Sequence, residues 1–182
     1  TVADCSLREA IVAANALTGP HTINVPAGTY TLTIAGAGEE DAATGDLDIS
    51  EDITITGAGA ATTIINGGGI DRVFDIDPYD NSPTVTLQNL TISNGSVSGP
   101  GGGAYVNSSG CPIVTLTNIA ITGNTADLGG GVANDGCGSL TITSSTISGN
   151  TAVSGDGGGI NSTYALTLTN VTVSGNATIN GD

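Results

Sequence analysis

The chain of 182 residues is long enough for one domain with a buried core, but 29 glycines, a single Phe and no Met or Trp leave only thin aliphatic layers to build it from. Seventeen carboxylates face two cations, Arg8 and Arg72, for a net charge of −15, so nucleic acid and anionic lipid are repelled and excluded as partners. No apolar run is long enough to span a bilayer, which excludes membrane insertion by this segment.

The first predicted element is a capping helix over 4–17, "DCSLREAIVAANAL". Ser6 and Glu9, three apart, form a capping box, and Leu7, Ala10, Ile11 and Ala14 fall on one face. Such a helix would cover the bare first layer of a β structure, whose open edge otherwise invites pairing with another chain.

From 22 to 96 the pattern turns to short alternating stretches: "TINVPAGTYTLTI", "GDLDISEDITITGAG", "TTIINGGG" and "RVFDID". Between them "AGAGEEDAATGDLD" reads as an acidic loop leaving the wall, and "DPYDNSP" as a Pro-rich turn. Eleven of the seventeen acids lie between Glu39 and Asp80. Asp46 and Asp48 alternate and so point the same way, and Asp75 and Asp77 repeat that spacing. Hard oxygen donors of this kind suit calcium, the one candidate cofactor, although no EF-hand spacing is present. Solvated surface carboxylates are the competing reading.

Four copies of one unit follow: "VTLQNLTISNG" from Val85, "VTLTNIAITGN" from Val114, "LTITSSTISGN" from Leu140 and "LTLTNVTVSGN" from Leu166. The last three are offset by 26 residues and the first step is 29, with coils over 97–182 the most regular. Strict alternation argues for strands, with Leu116, Ile119, Ile121, Ile142 and Ile147 pointing inward. Each unit is too thinly apolar to fold alone, so neighbours must stack. The expected fold is all-β, a right-handed parallel β-helix of about three short strands per coil, with strands about 4.8 Å apart.

Stacking would place Asn89, Asn118, Ser144 and Asn170 in one turn column and Asn124, Asn150 and Asn176 in a second, bonded amide to amide. Asn107, Asn134 and Asn161 make a third expected column. The triple glycines between units supply positive φ and close backbone approach. Thr115 and Thr117, Thr141 and Thr143, and Thr167 and Thr169 form an outward array with Thr54 and Thr56 in line. A second array holds Thr91, Thr146 and Thr172, beside Ser93, Thr122, Ser148 and Ser174. Such arrays resemble those of ice-binding solenoids, but exposed β-branched residues also simply suit strands, and Gln88 and Ala120 break the columns.

Cys111 and Cys137 are 26 residues apart at equivalent places in successive units. Adjacent strands bring Cα atoms within the disulfide range of about 4.4–6.8 Å, so a bridge is expected, implying an oxidising, extracellular or cell-surface setting. Two free buried thiols are the alternative. Cys5 has no partner in the sequence.

"CSLREAI" at 5–11, followed by "ANAL", "INVPAGTYTLT", "GDLDI", "ITITGAGAATTII" and "DRVFDI", resembles the CSLREA-type N-terminal domain of bacterial secreted and surface proteins over about residues 4–96. The Gly-Gly-apolar-x-Asn segments beyond it are similar to polymorphic outer-membrane-protein repeats. The resemblance implies a right-handed β-helix displayed at the surface within a larger modular protein, and an adhesive or structural role. Resemblance to the pectate lyases would imply a calcium-bridged uronate beside a basic Arg or Lys, and hydrolytic relatives use clustered Asp with a His. Here Arg8 lies on the helix, Arg72 can pair with Asp71, Asp75 or a loop carboxylate, and His21, the single His, lacks an acid pair. No catalytic residues are assigned. The expectation is a non-catalytic single β-helix domain over 1–182, part of a longer chain, that associates with itself or with neighbouring domains through the solenoid ends. A calcium-dependent adhesin for a glycan or cell-surface ligand, a polysaccharide lyase or hydrolase, and an ice-binding protein are the alternatives.

Overall fold

Strands of two to five residues with one polar face cannot persist singly, and the chain stabilises them by laying each directly on its counterpart one circuit later. The computed structural model describes residues 5–107 and 110–180. Helix α1 (Leu7–Asn15) precedes six coils. The first three coils are β1 (His21–Val25), β2 (Gly28–Thr31), β3 (Leu47–Ile49); β4 (Ile53–Gly57), β5 (Thr63–Asn66), β6 (Phe74–Ile76); and β7 (Thr84–Gln88), β8 (Thr91–Ser93), β9 (Ala104–Val106). The next are β10 (Ile113–Thr117), β11 (Ala120–Thr122), β12 (Thr125–Ala126), β13 (Val132–Asn134); and β14 (Ser139–Thr143), β15 (Thr146–Ser148), β16 (Thr151–Ala152), β17 (Ile160–Ser162). The last described coil holds β18 (Leu166–Thr169), β19 (Thr172–Ser174) and β20 (Ala177–Thr178).

All pairings between these strands are parallel, and the sheets run β1-β4-β7-β10-β14-β18, β2-β5-β8-β11-β15-β19, β3-β6-β9-β13-β17 and β12-β16-β20. The fold is therefore a parallel β-solenoid. The expected three strands per coil hold in the first half. In the fourth and fifth coils Thr125–Ala126 and Thr151–Ala152 add a fourth, where the third coil makes only the isolated bridge Ser96↔Thr125.

The core is a set of vertical aliphatic columns. Ile23, Ile55, Leu87, Leu116, Ile142 and Leu168 stand in register in the first sheet, and Ile65, Ile92, Ile121, Ile147 and Val173 in the second. Ile55, Leu87, Leu116, Ile142, Ile65, Ile92, Ile121 and Ile147 are fully buried, each contributing about 1.5–3 kcal/mol, while the end members Ile23, Leu168 and Val173 are only partly covered. The single Phe, Phe74, is fully buried between Leu47 and the small Ala104, so a bulky residue sits beside a compact one.

Helix α1 is shorter than the expected 4–17, and Asp4 lies outside the described residues. The capping box forms as read: the Ser6 side chain accepts from the Glu9 N–H, and the Glu9 carboxylate accepts from Ser6 N–H. Leu7, Ile11 and Ala14 are buried against the first coil, with Ala10 at the margin of that face. The cap is polar as well as apolar. Asn15 donates to the Asp48 carbonyl and accepts from Ser50 N–H, so its amide stands in for a neighbouring strand along β3.

Two of the three expected Asn columns form. Asn89, Asn118, Ser144 and Asn170 all take left-handed φ (56, 51, 50 and 54°) at the bend, and Asn118 Nδ2 donates to Asn89 Oδ1 at 2.7 Å. Asn124 and Asn150 are fully buried. In that column the amide oxygens of Asn150 and Asn176 each accept both the backbone and side-chain N–H of the Asn one coil earlier, at 2.9–3.0 Å, and Asn150 Nδ2 donates back to the Ile121 carbonyl. A glycine makes this possible: a Cβ on Gly131 would lie 3.0 Å from Asn150 Nδ2 and 2.5 Å from the Gly159 carbonyl oxygen. The third column does not form. Asn134 stands opposite Val106 and Ser162, because Ala104, Val132 and Ile160 align directly after the glycines and the Asn lies at a different distance from them in each coil.

Asn150→Ala strands the buried Asn124 N–H and one of its side-chain N–H groups, each costing about 1–3 kcal/mol. Chemical denaturation is expected to show a loss of about 2–5 kcal/mol, against about 0.5 kcal/mol or less for the exposed Asn180→Ala.

Candidate functional site: a roofed acidic pocket on the first two coils

Pairing of β3 with β6 puts Asp48 opposite Asp75, flanked by Leu47 opposite Phe74 and Ile49 opposite Ile76. The aliphatic neighbours point into the core, so alternation turns both carboxylates to the outer side of the sheet. That side is roofed. The acidic segment 35–46, expected to leave the wall, folds back over it, and the cause lies in α1. Arg8 Nη1 donates to the carbonyls of Ala42, Thr44 and Asp46, and Nη2 to that of Gly45, at 2.6–3.0 Å. Glu39 accepts Thr44 N–H, and Asp48 Oδ2 accepts Ala42 N–H at 2.6 Å. One guanidinium thus gathers four backbone oxygens, which its planar fork of donors can do and an ammonium cannot.

Beneath the roof is a pocket of about 250 Å³ lined by Glu39, Glu40, Asp46, Asp71, Arg72 and Asp75, with Val97 and Ser98 at its rim. Arg72 ion-pairs with Asp75, lies 3.6 Å from Asp46 Oδ2, takes its own backbone bond to Asp71, and stacks 5.0 Å from the ring centre of Tyr105. Asn107 adds a side-chain hydrogen bond to Asp75. Burial, reinforced by Asp48, Asp71 and Asp75 and opposed by Arg72, pushes the Asp46 carboxyl up to about 8. Burial likewise raises Asp48 to about 7, against the Ala42 N–H bond, and Asp75 to about 6, against Arg72. Glu40 and Asp71 are also raised, chiefly by burial.

Of the four acids expected to act together, Asp46, Asp48 and Asp75 meet here and Asp77 does not. The strand ends at Ile76, Asp77 takes φ 68°, and its carboxylate accepts the N–H groups of Asn81 and Ser82 in the next turn. Glu40 takes its place: one oxygen each of Glu40, Asp48 and Asp75 lie within 4.8 Å of one another. Sequence reasoning missed Glu40 because nothing periodic shows where a loop will land.

The remaining assignments lie elsewhere. Cys111 and Cys137 are disulfide-bonded across adjacent coils with Cα atoms 4.8 Å apart, and Cys5 is an exposed free thiol. Thr22, Thr54, Thr86, Thr115, Thr141 and Thr167 form a column six deep, while Thr56, Thr117, Thr143 and Thr169 share theirs with Asn24 and Gln88. The His21 ring meets the Leu17 carbonyl at 3.1 Å, and its backbone N–H donates to the Asp52 carbonyl. Among the described residues, no helix is long and apolar enough to cross a membrane. Comparison with known proteins yields no relative: no family model, no curated protein and no solved structure matches the chain.

Two outcomes follow from the pocket. Replacing Arg8 with Lys is expected to destabilise the fold nearly as much as Arg8→Ala, by about 2–4 kcal/mol, since several buried carbonyls lose their donor; thermal melts of both variants check this. The acids faced by Glu39, Glu40, Asp71 and Arg72 hold protons in the folded chain at a pH where the unfolded chain, with ordinary Asp values near 4, has released them. Their contribution to stability is therefore full below pH about 4 and falls as pH rises through 6 to 8. Melting temperature in chelator should drop across that window in the wild type and less in Asp46→Asn; a rise in both would contradict the assignment.

Proposed function

We propose that the chain is a non-catalytic structural or adhesive module, a stiff solenoid segment of a secreted or cell-surface bacterial protein. The observation that carries this reading is the unbroken parallel register through all six coils, in which the polar residues of the repeat bond to the wall itself. The Asn column and the bend residues hold the backbone, and the Thr columns stand in register along the first sheet. The "CSLREAI" to "DRVFDI" resemblance to surface-displayed domains supports the setting, and an inter-coil disulfide fits an oxidising compartment.

The last described coil presents its strand edges together with Leu168, Val173 and Ile179, which are 44%, 49% and 63% exposed. A further coil, from a neighbouring domain or a second copy, would cover them as each coil covers the one before. A hydrolytic reading has one observation in its favour, raised carboxyls in a pocket. Against it, Arg72 is held by Asp46, Asp75 and Tyr105 and serves as a counter-ion.

Sedimentation over a wide concentration range is expected to show end-to-end association that Val173→Asp weakens, with no turnover on a panel of neutral and uronic polysaccharides. Turnover that disappears in Asp46→Asn or Asp75→Asn would replace the structural reading with an enzymatic one.

A further inference from the structure

We propose that Glu40, Asp48 and Asp75 bind one divalent cation of the calcium type, which fastens the roof of the pocket to the first two coils. The three carboxylates come from separate segments: Glu40 from the roof, Asp48 from β3 and Asp75 from β6, each offering one oxygen within 4.8 Å of the others. Proximity of acids alone would not carry the point. Asp48 and Asp75 are 0% and 4% exposed, and Oδ1 of each is buried without a hydrogen-bond partner. The rest of each carboxylate is engaged, Asp48 Oδ2 by Ala42 N–H and Asp75 by Arg72 and Asn107, so both are held in place with Oδ1 left over.

A buried acceptor with no donor costs about 1–3 kcal/mol, and more when it is charged. Native walls rarely keep two such atoms on adjacent strands unless an ion or water meets them. The Asn124–Asn150–Asn176 column satisfies its buried amides fully, and Asn134 Oδ1 is bare singly, whereas Asp48 and Asp75 leave two bare oxygens on directly paired strands. The donor set contains only carboxylate oxygen, with no His or Cys, which favours calcium or magnesium over zinc or copper. Calcium accepts irregular coordination by six to eight oxygens, whereas magnesium demands a near-octahedral shell. Three carboxylates from unrelated segments, beside a pocket of about 250 Å³ able to hold the remaining water ligands, fit the more permissive ion. Arg72 does not fill the role, because it holds the opposite oxygen of Asp75 and the carboxylate of Asp46.

This site is independent of the structural reading above: a chain that binds no calcium could still be a stalk. The test is titration calorimetry with calcium chloride on the whole chain at about pH 8, paired with melts in chelator, calcium and magnesium. One calcium per chain and a saturable rise in melting temperature are expected, with a smaller response to magnesium. Glu40→Gln should weaken calcium binding at least about tenfold, equivalent to about 1.4 kcal/mol, while its melt in chelator stays at or above wild type. Asp48→Asn should also abolish the calcium response and, by removing a buried charge, should not lower the chelator melt. Asp156→Asn, on a distant corner, should change neither. Absence of saturable heat in the wild type, or a calcium response that survives unchanged in both Glu40→Gln and Asp48→Asn, would overturn the proposal. A melt that responds to pH but never to calcium would also do so, assigning the bare oxygens to shared protons.

Discussion

The register between successive coils is the constraint on which everything else in this molecule depends. In a parallel ladder a slip of one residue would turn every Thr inward and every Ile or Leu outward, so each circuit must return the chain to the same place. It does so although the circuits differ in length. Thirty-two residues separate Ile23 from Ile55 and Ile55 from Leu87, 29 separate Leu87 from Leu116, and 26 separate Leu116 from Ile142 and Ile142 from Leu168. The strands stay fixed and the surplus is expelled to the corners. The longest stretch between successive strands, from Thr31 to Leu47, is the one that folds over the acidic pocket. The repeats that match the ideal period have nothing left over with which to build a site.

The same wall treats buried polarity in two ways. In the later coils, Asn124 and Asn150 are wholly enclosed, and each has its amide donors and acceptor matched by backbone and by the neighbouring Asn. The glycine facing each amide has lost its side chain to make the room. On the first two coils, Asp48 and Asp75 are as deeply enclosed, yet each keeps an oxygen without a donor. A satisfied buried network reads as architecture; Asn134 Oδ1 in the fourth coil is bare singly, whereas the first two coils leave two carboxylate oxygens bare on paired strands.

Most of the fold was legible because its signals repeat. The alternation gave the strands, the 26-residue step aligned Cys111 with Cys137, and the Ser6/Glu9 pair forms the capping box, although the helix begins at Leu7 and not at residue 4. The errors share one physical source, which is that the eye aligns similar residues and the backbone aligns hydrogen bonds. Asn107, Asn134 and Asn161 look like a column, but the glycines set the register and the Asn follows them by four, three and two residues. Asp77 continues the spacing of Asp75 only on paper, since its strand has already ended. The roof of the pocket was hidden for a different reason. Arg8 holds it by main-chain carbonyls, and a carbonyl is present at every residue, so recognition of this kind leaves no mark in composition or spacing.

The Asn column also has a sense of direction. Each amide oxygen faces the preceding coil, Asn124 receiving the Gly95 N–H and Asn150 and Asn176 two N–H groups each, so the two faces of these coils are chemically unlike. Placing two like faces together would set donor against donor or oxygen against oxygen. A two-fold, self-complementary joint is thereby disfavoured along this axis, and any unit added must arrive head to tail. Head-to-tail contacts without rotational closure generate a polar line rather than a closed pair. The asymmetry of one buried side chain thus sets the symmetry open to whatever assembly these coils enter.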